Sequence, residues 1–398
     1  MKLFQWPLPH AVAAALFATA TASFDSQEPL FHTHAFDPAW TPLSSLHRDL
    51  VQIESVSGNE HHVGHYLCQC LRKHNWTVEK QHVGALHTAG EESGGVHSKH
   101  PRFNLLAYPG ERRDTRILVS SHIDTVPPYW PYEVRPDRDI WGRGSVDAKG
   151  SVATQIVAVQ ELLASGELRD GDLALLFVVG EEIGGDGMRK ANELGLKWET
   201  AIFGEPTELK LASGHKGNLA FTVTAKGKAG HSGYPWLGES ANSMLIPALA
   251  VLDKLELPSS EKYGDSTLNI GRMEGGVAGN VIAETARAQI QVRIAAGSAE
   301  KSKKIVLDAI QKVDERLEVS FVSEGYGPVY IDSDVEGFDT VVVNYGTDIP
   351  NLKGDHKRYL YGPGSILVAH SDHEHLNATD LSQAVEGYKK LIRHALAS

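Results

Sequence analysis

Cysteine is nearly missing from this chain: Cys68 and Cys70 are the only two in 398 residues. Their C-x-C spacing is too tight for an easy disulfide, and two cysteines make neither a zinc finger nor a disulfide scaffold. The fold must rest on its core. An excess of positive charge is missing too. Against 50 Asp and Glu stand 38 Lys and Arg, a net charge of −12. That excludes a general binder of nucleic acid or of an anionic membrane surface. Beyond the N-terminus no apolar run is long enough to span a bilayer. Disorder, collagen and coiled coil are excluded by 41% hydrophobic and 22% charged residues. Histidine, by contrast, is plentiful at 20, which directs attention to metal sites.

Residues 1–22 have the pattern of a secretory signal peptide. Lys2 gives a positive start, an apolar and small-residue run covers Ala11 to Ala20, and Thr21-Ala22-Ser23 suits cleavage. The expected location is therefore extracellular. Two sequons, Asn75-Trp-Thr77 and Asn377-Ala-Thr379, become candidate glycosylation sites in that setting.

Helical spacing of apolar residues runs from Leu43 to Lys73, broken at Ser57-Gly58-Asn59. Residues 84–101 are rich in Gly, Glu, His and Ser and read as a surface loop. Three short apolar runs follow, Arg116–Ser121, Leu173–Val179 and Ala201–Phe203, with a periodic segment from Ser151 to Leu163 between the first two. Strand, helix, strand, each strand followed by polar residues, is an α/β pattern, and ligands in such sheets lie beyond the carboxyl ends of the strands. Residues 217–295 differ. Leu219–Ala225 alternates, as a half-exposed antiparallel strand does. Strands at Thr267–Ile270 and Ala286–Ile294, with helices at Met244–Leu255 and Lys301–Leu317, suggest an inserted α+β sandwich. A terminal helix is expected over Asp380–Leu396.

The residues just past the strands carry the chemistry. His122-Ile-Asp124 reads either as a loop histidine beside an incidental acid or as a metal ligand with the carboxylate that orients it. Asp147, inside Gly142-Arg-Gly-Ser-Val-Asp147-Ala-Lys-Gly150, is a helix N-cap or a ligand, and the local pattern does not decide. Glu181 and Glu182 emerge directly from seven apolar residues. Paired carboxylates there are costly unless a cation sits between them. One of the pair can bind metal while the other works as a base. Glu205 ends the third strand. Near the C-terminus, His370-Ser-Asp-His373-Glu374-His375 offers three histidines, and spacing does not choose among them. One His, one Asp, two Glu and one His suit zinc, and two ions bridged by Asp147 use all five.

Ser121-His122-Ile-Asp124-Thr-Val-Pro127, Gly144-Ser-Val-Asp147-Ala-Lys149-Gly150, Glu181-Glu182, Glu205-Pro-Thr and Ala369-His370 together resemble the M20 metallopeptidase family. That group includes carboxypeptidase G2, acetylornithine deacetylase, succinyl-diaminopimelate desuccinylase and aminoacylase. With its leader, the chain looks most like the secreted fungal M20A carboxypeptidase-like proteins. The resemblance covers nearly everything after residue 40.

It implies an α/β zinc-peptidase-like catalytic domain with a mixed sheet flanked by helices, formed by 36–215 and 327–398, with a lid or dimerisation domain at 216–326. It implies two Zn2+ per subunit, replaceable by Co2+ or Mn2+. His122, Asp147 and Glu205 would hold one ion, and Asp147, Glu182 and His370 the other. Asp124 would orient His122, and Glu181 would be the general acid/base. A cis peptide is expected at Asp147-Ala148. His231 would polarise the scissile carbonyl, often from a partner subunit. Asn280, Arg293 and Gly364 would recognise the substrate's carbonyl or carboxylate. The implied activity is that of a carboxypeptidase on peptides or N-blocked amino acids with a free carboxylate. Its alternatives are an N-acyl-amino-acid deacylase and, in another class, a non-catalytic zinc-binding assembly protein. The expected partners are the substrate and a second copy of the chain, not nucleic acid or membrane.

Overall fold

A computed structural model describes residues 41–84, 100–136 and 138–398. The expected leader and most of the expected 84–101 loop lie outside these residues. Among the described residues no helix is long and apolar enough to cross a membrane.

A six-stranded mixed sheet organises the larger part. Its order is Trp76–Val83, Arg102–Pro109, Leu173–Val178, Ile117–His122, Thr200–Gly204, Lys357–Tyr361. The first two junctions are antiparallel and the rest parallel. The central strands are buried throughout. Side chains alternate across a strand, so a strand covered on both faces reads as an unbroken apolar run. Val119, Leu175, Phe177 and Ile202 face one core, and Leu118, Leu176, Val178 and Phe203 face the other.

The first face is covered by helices at Pro42–Gln52, His61–Lys73, Lys149–Ala164 and Ala378–Ala397. Thr41 caps the first by accepting from the Ser44 amide at 3.2 Å, and Pro42 needs no donor at its position. The expected break at 57–59 separates the first two helices. Gly166, with φ +75°, follows the end of the third. The strand pair Trp76–Val83 and Arg102–Pro109 was not expected. Its outer member, Trp-Thr-Val-Glu-Lys-Gln-His-Val, is an edge strand whose middle residues are only half-buried, and that blurs the apolar pattern.

A second, antiparallel sheet orders Thr267–Gly275, Thr285–Ile294, Gly217–Lys226 and Glu318–Phe321. Gly217–Lys226 alternates buried and half-buried residues along its length. Helices Ala241–Asp253 and Ala299–Gln311 pack on its apolar face and close a core of their own around Phe221, Val223, Leu249 and Val306. Both start before the expected positions because Ser240 and Ser298 cap them. The second also stops earlier than expected, at Gln311 rather than Leu317.

Candidate metal centre

The cluster forms where the parallel strands end. Ile117–His122 delivers His122, fully buried. Its Nε2 lies 3.0 Å from Asp147 Oδ1 and 3.7 Å from Glu205 Oε1. His370 approaches from the opposite side, with Nε2 3.2 Å from Asp147 Oδ2 and 3.0 Å from Glu182 Oε2. Asp147 therefore turns one oxygen to each histidine. His122, Glu181 and Glu205 offer one ligand atom each within 4.8 Å of one another, and so do His122, Asp147 and Glu182.

The backbone around these groups is unusual. The Asp147–Ala148 peptide is cis, as is Pro127–Pro128. His370 itself has φ +61°, a region that non-glycine residues seldom adopt and that clusters at functional sites. Gly180, φ +73°, opens the Glu181–Glu182 turn, where a Cβ would collide with Asp186 Oδ1.

Asp124 ties the centre together. His122 Nδ1 is 3.0 Å from the Asp124 carbonyl and 3.5 Å from its carboxylate, so backbone and side chain share the orienting role. The same carboxylate accepts from Ser57 Oγ at 2.7 Å and from the Glu181 and Glu182 amides at 3.1 and 3.3 Å. One buried acid thus fixes both the histidine ring and the carboxylate pair.

Electrostatics follow from this crowding. Burial, then Glu205, Asp348 and Glu182 nearby, push the Glu181 carboxyl well above the usual range despite the opposing pull of His122. Burial and Asp147 push Glu182 up to about 7, and burial raises Glu205 to about 7 as well. For His122 burial works the other way, but the surrounding carboxylates outweigh it and raise the imidazole well above its ordinary value. Hydrogen bonds to Asp147 and Glu182 raise His370 to about 10. A bound cation would relieve the same repulsion. Glu182 Oε1 is buried with no hydrogen-bond partner among the described residues. An orphaned buried carboxylate oxygen is costly. It fits a metal ligand whose other oxygen faces His370, and the N and O donors suit a divalent ion such as zinc.

The remaining candidates lie elsewhere. His231 is exposed on a short ribbon, Gly230–His231 against Val281–Ile282. Its Nδ1 accepts from the Gly233 amide at 3.0 Å. Asn280 is exposed at the same ribbon, where its carbonyl accepts from the Ser232 amide at 3.1 Å. Arg293 is half-buried, and its Nη1 would be 3.2 Å from a Cβ on Gly346. Burial, then the nearby Glu181 carboxyl, pushes the Tyr326 hydroxyl well above its ordinary value, and Arg293 works against them. Gly364 has φ +73°, and a Cβ there would meet Val146 and Leu376 at 2.5 and 2.6 Å. His373 pairs with Asp372, and His375 stacks on Trp141 at 4.9 Å; neither joins the cluster. Asn75 is exposed. Asn377 is engaged at both ends of its amide, Oδ1 capping the last helix and Nδ2 donating to Asp139 at 3.0 Å, so a glycan there would have to displace that bond.

Three residues at the centre were not expected. Burial pushes the Asp348 carboxyl up to about 7 beside the cluster. Tyr345 Oη donates to the Pro206 carbonyl at 2.8 Å and steadies the Glu205 turn. Glu374 accepts from Arg143 at 2.5 Å and from the Gly144 amide at 2.8 Å, holding the Asp147 loop. Only Glu374 carried a signal, as one acid in a run of histidines.

The chain matches the model of peptidase family M20/M25/M40 over residues 118–394. It is 48% identical to a "probable carboxypeptidase" of Aspergillus flavus over 95% of this chain and 91% of that one. It is 49% identical to another of the same description from Emericella nidulans, over 96% and 97%. Its fold resembles that of an M20 family metallo-carboxypeptidase from Sulfolobus solfataricus at TM-score 0.67 and 18% identity, covering 90% of this chain and all of that one.

Proposed function

The chain belongs to peptidase family M20/M25/M40, and we propose that it is a secreted, zinc-dependent carboxypeptidase. Its substrates would be peptides or N-blocked amino acids with a free C-terminal carboxylate. The observation that carries this reading is the placing of Asp147 between His122 and His370, one oxygen toward each, with Glu181 alongside. The names of the Aspergillus flavus and Emericella nidulans relatives support the carboxypeptidase assignment. The leader pattern at 1–22 supports secretion.

On this reading His122, Asp147 and Glu205 would hold one Zn2+ and Asp147, Glu182 and His370 the other, with Co2+ or Mn2+ able to substitute. When bound, the ions supply Lewis acidity at the scissile carbonyl and a water acid enough to ionise near neutral pH. Glu181 takes the proton of the attacking water and returns it to the leaving amine nitrogen. Asp124 holds His122 in one tautomer and keeps the Glu181–Glu182 turn in place. His231 polarises the carbonyl oxygen, and Asn280 and the Gly364 backbone position the substrate. The planar fork of Arg293 pairs with its carboxylate. Residues 216–326 form the lid and a homodimer contact. Exposed Trp236, Leu237, Ile246, Met273 and Val277, all in that segment, support the contact.

The test is to incubate the zinc-loaded protein with N-blocked dipeptides and N-acetyl amino acids and to quantify released amino acids against Glu181→Ala. Release from dipeptides that the variant loses is expected. Release from N-acetyl amino acids alone would make it a deacylase. No release from zinc-bound protein would favour a non-catalytic assembly role.

A further inference from the structure

Arg102 opens the Arg102–Pro109 strand with its side chain buried between two acids. Its Nε donates to both Glu60 oxygens at 3.2 and 3.1 Å, and its Nη2 donates to Glu60 Oε1 at 3.1 Å. On the other side, Nη1 and Nη2 donate to the Asp186 carboxylate at 2.7 and 3.2 Å. Nη1 also donates to the Gly84 carbonyl at 3.3 Å. The Arg102 and Glu60 side chains are 1% and 0% exposed, and that of Asp186 is 31% exposed. A planar fork serves two carboxylates at once in fixed directions, which an ammonium group does not.

Both acids belong to loops of the centre. Asp186 starts the short helix after the Glu181–Glu182 turn. The Gly185 amide donates to the Gly180 carbonyl at 2.7 Å and the Gly187 amide to the Val179 carbonyl at 3.1 Å, so Asp186 sits at the base of a loop with the two acids at its tip. A Cβ on Gly180 would collide with Asp186 and Arg102 alike. Glu60 closes the 57–60 segment, whose Ser57 hydroxyl donates to Asp124 at 2.7 Å. The same two loops meet again on Asp124, through that hydroxyl and through the Glu181 and Glu182 amides. Each loop is thus held at two points, by Asp124 inside the centre and by Arg102 behind it. Glycine leaves a backbone many alternatives, and Gly180, Gly184 and Gly185 make the shape of the turn depend on this fastening.

We infer that Arg102 is a positioning residue for the metal centre, gripping the Glu181–Glu182 turn through Asp186 and the Ser57 segment through Glu60. It acts through these acids and touches neither substrate nor metal. Its effect on turnover rests on the hydrolytic reading of the centre; its effect on metal affinity does not.

The test compares the native chain with Asp186→Asn, a mild change at a partly exposed position, and with Arg102→Lys, which keeps the charge and loses the fork. Zinc affinity is read by competition with a chelator. The kcat and KM for an N-blocked dipeptide are read at saturating zinc, well below Tm. Asp186→Asn should weaken zinc binding by about tenfold or more. It should also lower kcat by roughly tenfold or more with KM unchanged, since a displaced base costs rate rather than binding. Arg102→Lys should show both losses despite its retained charge. Amide exchange should be faster at 180–185 in both variants, with the central strands exchanging as in the native chain. Native zinc affinity and native kcat in folded Asp186→Asn would overturn the inference, whatever the change in Tm. A native chain that binds zinc and hydrolyses no dipeptide would sink the hydrolytic reading alone, and the zinc affinities would still decide the role of Arg102.

Discussion

At the scale of single residues, the proposed chemistry turns on a division of labour between adjacent acids. Glu182 is turned toward His370, while Glu181 joins His122 and Glu205. Glu181→Ala should lower kcat by roughly 10²–10⁴-fold, the range for a lost general base, and leave bound zinc unchanged in an elemental count. Asp124→Ala should instead act through orientation and weaken zinc binding roughly 10–100-fold in a competition titration with a chelator. The titrating groups add a dependence on pH. Glu182 and Glu205 are raised from 4.5 to about 7 in the metal-free chain. Acids raised in the folded state bind extra protons there, so they stabilise it below pH 4.5 and lose that contribution as pH rises through about 7. His370, raised from 6.5 to about 10, loses its contribution as pH rises through about 10. The cluster's contribution to Tm in chelated protein should therefore fall between about pH 4.5 and 10, and added zinc should remove the decline. A chelated protein whose Tm drop on chelation is the same across this range would contradict the assignment. Asp124, Glu181, Glu182 and Glu205 were legible because each follows an apolar strand, whereas the apolar run before His370, Ile366–Val368, forms a 3-10 turn and not the expected strand. Asp348 and Tyr345 were not legible, since nothing in their local pattern separates a site residue from a loop residue, and only the fold brings them beside Glu205.

At the scale of elements, the loop from Gly142 to Ala148 is the part most dependent on distant support. Glu374 reaches it from 230 residues away, accepting from the Gly144 amide and from Arg143, both side chains almost fully buried. Breaking a buried ion pair leaves an uncompensated charge, at a cost of about 3–5 kcal/mol. Glu374→Ala should show that loss in denaturant unfolding, and Arg143→Met/Glu374→Met should lose much less. The central strands and the helices at 42–52, 61–73 and 149–164 were legible from apolar periodicity. The Trp76–Val83 edge strand was not, because its charged middle hides the alternation. Neither was the Lys357–Tyr361 strand, buried at one end and exposed at the other. The helices at 241–253 and 299–311 start three and two residues before the expected positions, behind their Ser240 and Ser298 caps.

At the scale of the whole molecule, the cores on the two faces of the six-stranded sheet and the core of the second sheet correspond to two textures of sequence, continuous apolar runs in the first sheet and alternation in the second. The proposed homodimer contact makes a direct prediction. Ile246→Asp/Met273→Asp, on the exposed side of the second layer, should halve the mass seen by equilibrium sedimentation and leave Tm nearly unchanged. A native chain already sedimenting as a monomer would refute the contact. The central claim is that the residues at the strand ends act as a metal-dependent hydrolytic centre. The most direct measurement strips the protein of metal with a chelator and follows the rate of N-blocked dipeptide hydrolysis as zinc is returned. The account predicts no turnover without metal, recovery that is complete once His122, Asp147, Glu182, Glu205 and His370 are loaded, and no recovery at any zinc level in Glu181→Ala. Full activity in metal-free protein, or recovery in Glu181→Ala equal to the native chain, would contradict it.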